Sequence, residues 1–210
     1  MVETTLAKLA HRLNSRQAVR TAQGHALPPL LLMTDPIRLP DPCAAVERLP
    51  PGSGVILRAY GPRERKRLAT ALAAIARRRR LVLLIAIDAA LAAAVGADGV
   101  HLPEALSGQV ASVRRREDWL ITVAAHSLAA LLAAARAGAD AALLSPVFHT
   151  ASHPEARPLG PHHFSRLVRR AGLPVYALGG IDDANAPLLL ASGAIGIAGI
   201  AGVAALSGGA

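Results

Sequence analysis

The residues that could do chemistry in this chain are histidines, acids and paired glycines standing just after apolar runs. His126 follows the run Trp119–Ala124, and His101 lies within Asp98–Leu102. His149 and His153 fall in the polar stretch Ser145–Pro161. Asp35, Arg58 and Asp88 each close an apolar segment, and Gly179 and Gly180 close Pro174–Leu178. An imidazole can both take and give a proton near neutral pH, so His126 is a candidate acid/base. Its structural alternative is a strand-end histidine beside Ser127, with the serine capping the next helix. Two consecutive glycines allow the backbone to approach an anion closely, or relieve crowding. Arg58 carries a planar fork suited to a carboxylate or a phosphate. His162 and His163 read as surface residues at a helix start. There is no Cys-x-x-Cys or His-Glu-x-x-His spacing for zinc, and no Gly-x-Ser-x-Gly elbow for a serine hydrolase.

Elements must hold these residues at one place, and the apolar runs supply them. Runs begin at Leu30, Gly54, Leu81, Asp98, Trp119, Ala141, Pro174 and Ile195, each four to seven residues long. They alternate with Ala-rich helical stretches such as Pro62–Arg79, Ala89–Val95 and Leu128–Ala137. A helix near Val110–Arg116, one over Phe164–Arg170 and one capped by Asp182 and running to Ala191 complete the alternation. Continuous Leu/Val/Ile runs mark strands buried on both faces. Eight of them with short connections predict a closed (β/α)8 barrel over residues 27–203. No Gly-x-Gly-x-x-Gly follows the first run, which disfavours a dinucleotide fold. Residues 1–26 read as an amphipathic N-terminal helix and lead-in, and residues 204–210 as a tail. Only Gly- and Ala-rich sequence follows the eighth run, so the last helix is expected to be short or frayed. In such a barrel chemistry sits at the C-terminal ends of the strands, where the residues above fall.

Composition narrows the function. Of 210 residues 52% are hydrophobic, enough for a large core, and 2% are aromatic, too few for base-stacking platforms. The formal net charge of +9 would suit a polyanion. It comes mostly from arginines at helix ends, including Arg77–Arg80 and Arg114–Arg116, which read as solvated cations near negative helix C-termini. Nucleic acid is therefore not the expected partner. A single cysteine, Cys43, excludes an intrachain disulfide and points to a reducing, cytoplasmic setting. Asp88, Asp98 and Asp140 interrupt the apolar stretches, so no membrane span is expected.

Four segments, in order, carry a family resemblance: Val95–Leu102, Ala137–Asp140, Ser145–Thr150 with Pro158–Gly160, and Leu173–Ile181 followed by Asn185. Together they resemble the thiamine phosphate synthase and thiazole tautomerase (TenI) superfamily. The resemblance implies a (β/α)8 barrel and a small phosphorylated heterocyclic substrate. It places the phosphate at Gly179, Gly180 and the backbone of Ile200 and Ala201, with Thr150, Ser152 and His153 nearby. The synthase pattern also implies Mg²⁺ and a diphosphate site, and here this sequence departs from it. The Gln-x-Arg-x-Lys after the second strand reads Ile56, Arg58 and Tyr60. An Asn-Asp pair after the third falls on Ala86 and Ile87, with Asp88 one step later. Beyond His101, itself read as structural, Glu104 is the only carboxylate in its stretch, displaced by about two positions. A lysine in the long loop is replaced by His153. This combination resembles the tautomerase branch, which works without metal or other cofactor and uses a histidine matching His126. The alternative is a divergent synthase with Mg²⁺ rebuilt on Asp88 and Glu104. A third reading is a non-catalytic relative that binds a phosphorylated metabolite. A homo-oligomer is left open.

Overall fold

The computed structural model describes residues 5–17, 26–58, 60–150, 155–200 and 203. Eight parallel strands close into one barrel in sequence order, with β8 hydrogen-bonded back to β1. They are β1 Leu30–Met33, β2 Gly54–Leu57, β3 Val82–Ala86, β4 Gly99–Leu102, β5 Leu120–Ala125, β6 Ala141–Leu144, β7 Val175–Leu178 and β8 Gly196–Gly199. The helices are α1 Thr5–Gln17, α2 Pro42–Glu47, α3 Pro62–Arg79, α4 Ala89–Val95, α5 Val110–Val113, α6 Leu128–Arg136 and α7 Gly160–Val168. The expected (β/α)8 architecture is therefore the observed one.

Alternation along each strand sorts the core into two bodies. Leu31, Met33, Ile56, Leu84, Leu120, Leu143, Tyr176 and Ala198 form one cluster that fills the lumen. Their sequence neighbours, including Leu30, Leu32, Val55, Leu83 and Ile85, pack outward with the helices. Tyr176 is fully buried, and its hydroxyl donates to the Pro28 carbonyl at 2.7 Å. Its ring has room because the β8 residue in register with it is Gly196, where a Cβ would lie 2.9 Å from Tyr176 Cε1. The lumen is thus packed with side chains rather than open.

α1 buries Leu6, Leu9, Ala10 and Leu13, the i, i+3, i+4, i+7 stripe of an amphipathic helix. That stripe packs on β1, β8 and the 3-10 turn Ala186–Leu189. Asn14 Nδ2 donates to the carbonyls of Leu27 (3.0 Å) and Ile195 (3.1 Å), so one side chain ties both sides of the β8–β1 seam. Val203 is helical and buried, while Ala201 and residues 204–210, and with them the expected short last helix, lie outside the described residues. Among the described residues no helix is long and apolar enough to cross a membrane.

Three sequence expectations are corrected. The helix expected near Val110–Arg116 is a 3-10 helix Glu104–Gln109 running into a four-residue α5. Asp182 does not cap a helix to Ala191; its Oδ1 accepts from the N–H groups of Ala184 (3.0 Å) and Asn185 (2.9 Å), a local turn before the 3-10 turn. Pro187, near the start of that turn, offers no N–H for the helical ladder. Arg114 is no solvated cation: its side chain is 17% exposed and pairs with buried Asp140 at 2.9 Å.

Candidate active site

The C-terminal ends of the strands gather the polar residues, and the end of β5 contributes an exposed imidazole, His126. Along β5 the inward positions alternate through Thr122 and Ala124 and bring His126 to the rim just beyond the strand. Ser127 caps α6, its Oγ accepting from Ala130 N at 3.1 Å, so His126 is the single residue linking strand to helix. Its position is over-determined. The His126 N–H donates to Glu104 Oε2 at 2.9 Å, and ring Nδ1 lies 2.9 Å from the Ser145 carbonyl oxygen. Ser145 Oγ stands 3.3 Å from the same nitrogen. A carbonyl oxygen can only accept, so Nδ1 carries the proton and, in the neutral ring, Nε2 is the basic nitrogen. Exposed at the rim, this imidazole can take a proton from a ligand and return it.

At the other side of the mouth, β1 runs into Thr34 and Asp35, both buried. Asp35 Oδ1 accepts from the N–H groups of Ile37 (3.1 Å) and Arg38 (2.9 Å), while Oδ2 accepts from Arg38 Nη2 at 2.6 Å. Arg58 Nη1 lies 3.8 Å from the same Oδ2, and its N–H donates to Thr34 Oγ1 at 3.0 Å. The hydrogen bond from the Arg38 side chain, outweighing burial, holds the Asp35 carboxyl down at about 2.

His101 sits lower in the barrel, on β4, with Nδ1 2.9 Å from Thr122 Oγ1. Burial, helped by the charge on Arg58, pushes its pKa down to about 4. The ring is therefore neutral at physiological pH, and its placement fits the structural role read from the sequence. A pH dependence follows. The unfolded chain binds a proton at this residue between about pH 6.5 and 4 that the folded barrel does not. This contribution to stability is whole above pH 6.5 and is lost as pH falls toward 4, by about 3 kcal/mol. Asp35 adds a further loss below its ordinary 3.8, as pH falls toward 2. Urea denaturation at a series of pH values is expected to show the first slope in the parent protein, and a flatter line in His101→Gln.

The end of β3 holds no carboxylate facing a ligand. Ile87 adopts φ 71°, and its N–H donates to the His101 carbonyl at 2.8 Å. A β-branched residue in the left-handed region is strained, a feature that clusters at functional rims, and Ile87 is also 52% exposed. Asp88 N donates to the Ala86 carbonyl at 2.8 Å, and Arg65 Nη2 reaches the same carbonyl. The Asp88 carboxylate turns to its own helix: as N-cap of α4 it accepts from Leu91 N at 2.8 Å. Glu104 is engaged with the His126 N–H. The two acids considered for Mg²⁺ thus serve separate backbone contacts on separate elements. Among the described residues no three His, Cys, Asp or Glu side chains gather as metal ligands. Magnesium needs a near-octahedral oxygen set, and this donor set does not fit it as arranged.

A cavity of about 340 Å³ opens between the ends of β7 and β8. Its lining includes Gly179, Gly180, Thr150 and Ile200, four of the residues expected there, together with His149, Asp182, Val203 and Arg38. Arg58 and His126 stand outside that lining. Ser152, His153 and Ala201 lie outside the described residues. Gly180 has φ +65°, and a Cβ there would lie 2.1 Å from the His149 carbonyl oxygen. The glycine is therefore required by the passage of the β6–α7 loop as well as by access to the cavity. Asn185 Nδ2 donates to the Gly180 carbonyl at 2.8 Å, fixing the turn.

Comparison with known proteins agrees with this fold. The family model described as thiamine monophosphate synthase (TMP-TENI) matches residues 36–203, most of the barrel. The chain belongs to this family. A relative from Aquifex aeolicus, described as putative thiamine-phosphate synthase 2, is 40% identical over 136 residues, covering 65% of this chain and 73% of that protein. A Geobacter sulfurreducens relative, described as a putative thiamine-phosphate synthase, is 41% identical over 123 residues, 57% of this chain and 56% of its own. Among solved structures, the thiamine phosphate pyrophosphorylase from Pyrococcus furiosus superposes with a TM-score of 0.69 at 25% identity, covering 85% of this chain and 91% of that one.

Within this thiamine monophosphate synthase family member, Asp35, Arg58 and His126, the residues singled out in the sequence, lie at strand ends, while the contacts of Arg38 with Asp35 and of Glu104 with His126 were not read there. A signal for Arg38 was available. Thr34-Asp35-Pro36 closing an apolar run is a turn signature, and an aspartate in such a turn binds N–H groups two and three residues on. That places Arg38 beside its carboxylate.

Proposed function

We propose that this chain is a thiamine-biosynthesis isomerase that shifts a proton on a phosphorylated thiazole carboxylate, in the manner of a thiazole tautomerase. The observation that carries the reading is the imidazole of His126, whose Nδ1 is committed to the Ser145 carbonyl while Nε2 is left basic at the rim. In the proposed step Nε2 accepts a proton from a ring carbon, and the released electron pair is delocalised in the heterocycle. The same nitrogen then gives the proton to another position of that π system, so atoms and charge balance and no co-reactant is needed. The β7–β8 cavity seats the phosphate against the turn at Gly179 and Gly180 and the backbone at Ile200. Arg58, partly exposed beside Asp35, takes the carboxylate.

A second reading, joining a thiazole phosphate to hydroxymethylpyrimidine diphosphate, is favoured by the similarity to putative thiamine-phosphate synthases. It would require Asp88 and Glu104 to leave their present hydrogen bonds for a Mg²⁺ ion. Two assays separate the readings. Under the first, the purified protein converts the thiazole carboxylate phosphate in EDTA, followed by ¹H NMR. Under the second, that reaction is silent, and a joined product forms only with the pyrimidine diphosphate and Mg²⁺. Ligand binding without turnover in either assay would leave the non-catalytic reading standing instead.

A further inference from the structure

Ile87 carries a side chain that neither the core nor its own backbone accounts for. Its φ is 71°, and the Asp88 N–H donates to the Ala86 carbonyl, two residues back, at 2.8 Å. A hydrogen bond of that span across a residue of positive φ is a γ-turn of the rare, strained kind. Glycine would adopt it freely, whereas a β-branched side chain there is an outlier. Among the described residues the only other non-glycine with positive φ is Arg80, which ends α3, a place where a left-handed residue is common. Ile87 ends no helix.

The turn is fastened on both sides. The Ile87 N–H donates to the His101 carbonyl on β4 at 2.8 Å, Arg65 Nη2 reaches the Ala86 carbonyl, and Asp88 Oδ1 accepts from Leu91 N at 2.8 Å. Alternation along β3 sends Leu84 into the lumen and Ile85 outward among the helices, so a strand continued through residue 87 would carry it to the side of Ile85. The turn instead leaves Ile87 52% exposed, one of three large apolar residues so placed among the described residues. An unfavourable backbone that holds an unburied apolar side chain gains stability from neither, and such outliers cluster where ligands are met.

Strand ends follow one another round the mouth in sequence order. The end of β3 therefore lies between that of β2, which leads to Arg58, and that of β4, beyond which Glu104 holds the His126 N–H. Ile87 thus stands on the arc between the guanidinium read as the carboxylate contact and the imidazole read as the base. Resting on that reading of the mouth, we infer that Ile87 is a specificity-determining contact, its side chain held out by the strained turn as an apolar wall for the flat ring of the substrate. A heterocycle with a carboxylate has charge at its edge and apolar faces, which matches one aliphatic side chain set between two polar ones.

The test joins thermal denaturation of the full chain to steady-state kinetics with the thiazole carboxylate phosphate in EDTA. Ile87→Gly takes the positive φ without strain, so its Tm is expected to rise by about 3 °C. Its KM is expected to rise about fivefold with little change in kcat, as loss of an apolar contact made equally to bound substrate and transition state would. The opposite signs mark a ligand contact, since a general loss of structure lowers Tm as activity falls. Ile87→Asn, polar and tolerant of positive φ, is expected to show the same pair of changes. Ile87→Val, which keeps a branched apolar side chain in the turn, is expected to recover most of the KM loss and to bring Tm back toward the parent. A raised Tm with KM unmoved in Ile87→Gly overturns the ligand contact, and a Tm that does not rise overturns the strained turn on which it stands; either result leaves the proposed activity intact. A parent protein that does not convert this substrate overturns the proposed activity, and the role of Ile87 with it.

Discussion

His126→Asn is expected to lower the rate of the proposed proton shift by about 10² to 10⁴, the usual contribution of a positioned general acid/base. At about 1.4 kcal/mol per tenfold, that is about 3 to 5 kcal/mol of barrier. Asparagine is the informative replacement because its side-chain N–H can stand where Nδ1–H stands, donating to the Ser145 carbonyl. The rim keeps its shape while the basic nitrogen is lost. The thermal midpoint should therefore stay close to that of the parent, and KM should move by less than a few-fold while kcat falls. Single-turnover conversion followed by NMR reads this directly. A variant that turns over at the parental rate would remove His126 from the mechanism and pass the proton transfer to another group.

The largest loss of stability is expected at a residue far from the mouth. Asp140 is 4% exposed at the side chain, its Oδ2 accepting from Ile121 N at 2.6 Å and from Arg114 Nη2 at 2.9 Å. Arg114 also donates to the carbonyls of Trp119 and Gly138, so this one pair clamps the start of β5 to the turn before β6. Asp140→Ala leaves a half-buried guanidinium without its counter-charge and a buried N–H without an acceptor. Breaking such a pair from one side costs about 3 to 5 kcal/mol. For a chain of this size that corresponds to a fall of about 10 °C in Tm. Asp140→Asn keeps an acceptor for Ile121 and should lose less. Urea and thermal denaturation of both variants check the order.

How much of this was readable from the chain differs between strands and site. The strands were legible because a parallel barrel buries both faces of each strand, so each appears as an unbroken apolar run. β1, β2 and β6 begin and end where the runs do. β4, β5 and β7 differ by one or two residues where Asp98, Trp119 or Pro174 sits at the strand entrance, and β3 and β8 begin one residue after their runs. Short helices were less legible. α2 spans six residues begun by Asp41 and Pro42, whose capping geometry is plain only once Asp41 Oδ1 is seen accepting from Ala44 N at 2.9 Å.

Side-chain partnerships were the least legible, because they join residues that only the closed barrel brings together. Arg114 reads as a surface cation until Asp140, 26 residues on, is placed beside it. Asp88 and Glu104 read as spare acids for a cation. In the folded chain one is spent on a helix cap and the other on the backbone of His126. Spacing along a sequence cannot separate a capping carboxylate from a ligating one, since both follow a strand by one or two residues.

The Tyr176 ring wedged against Gly196 makes the interior a cul-de-sac. Whatever reaches the rim has no exit at the far end, so a converted molecule must depart through the doorway by which it came. Traffic is then sequential. A fresh molecule can settle only after its predecessor has vacated, and catalysis faster than departure would gain nothing.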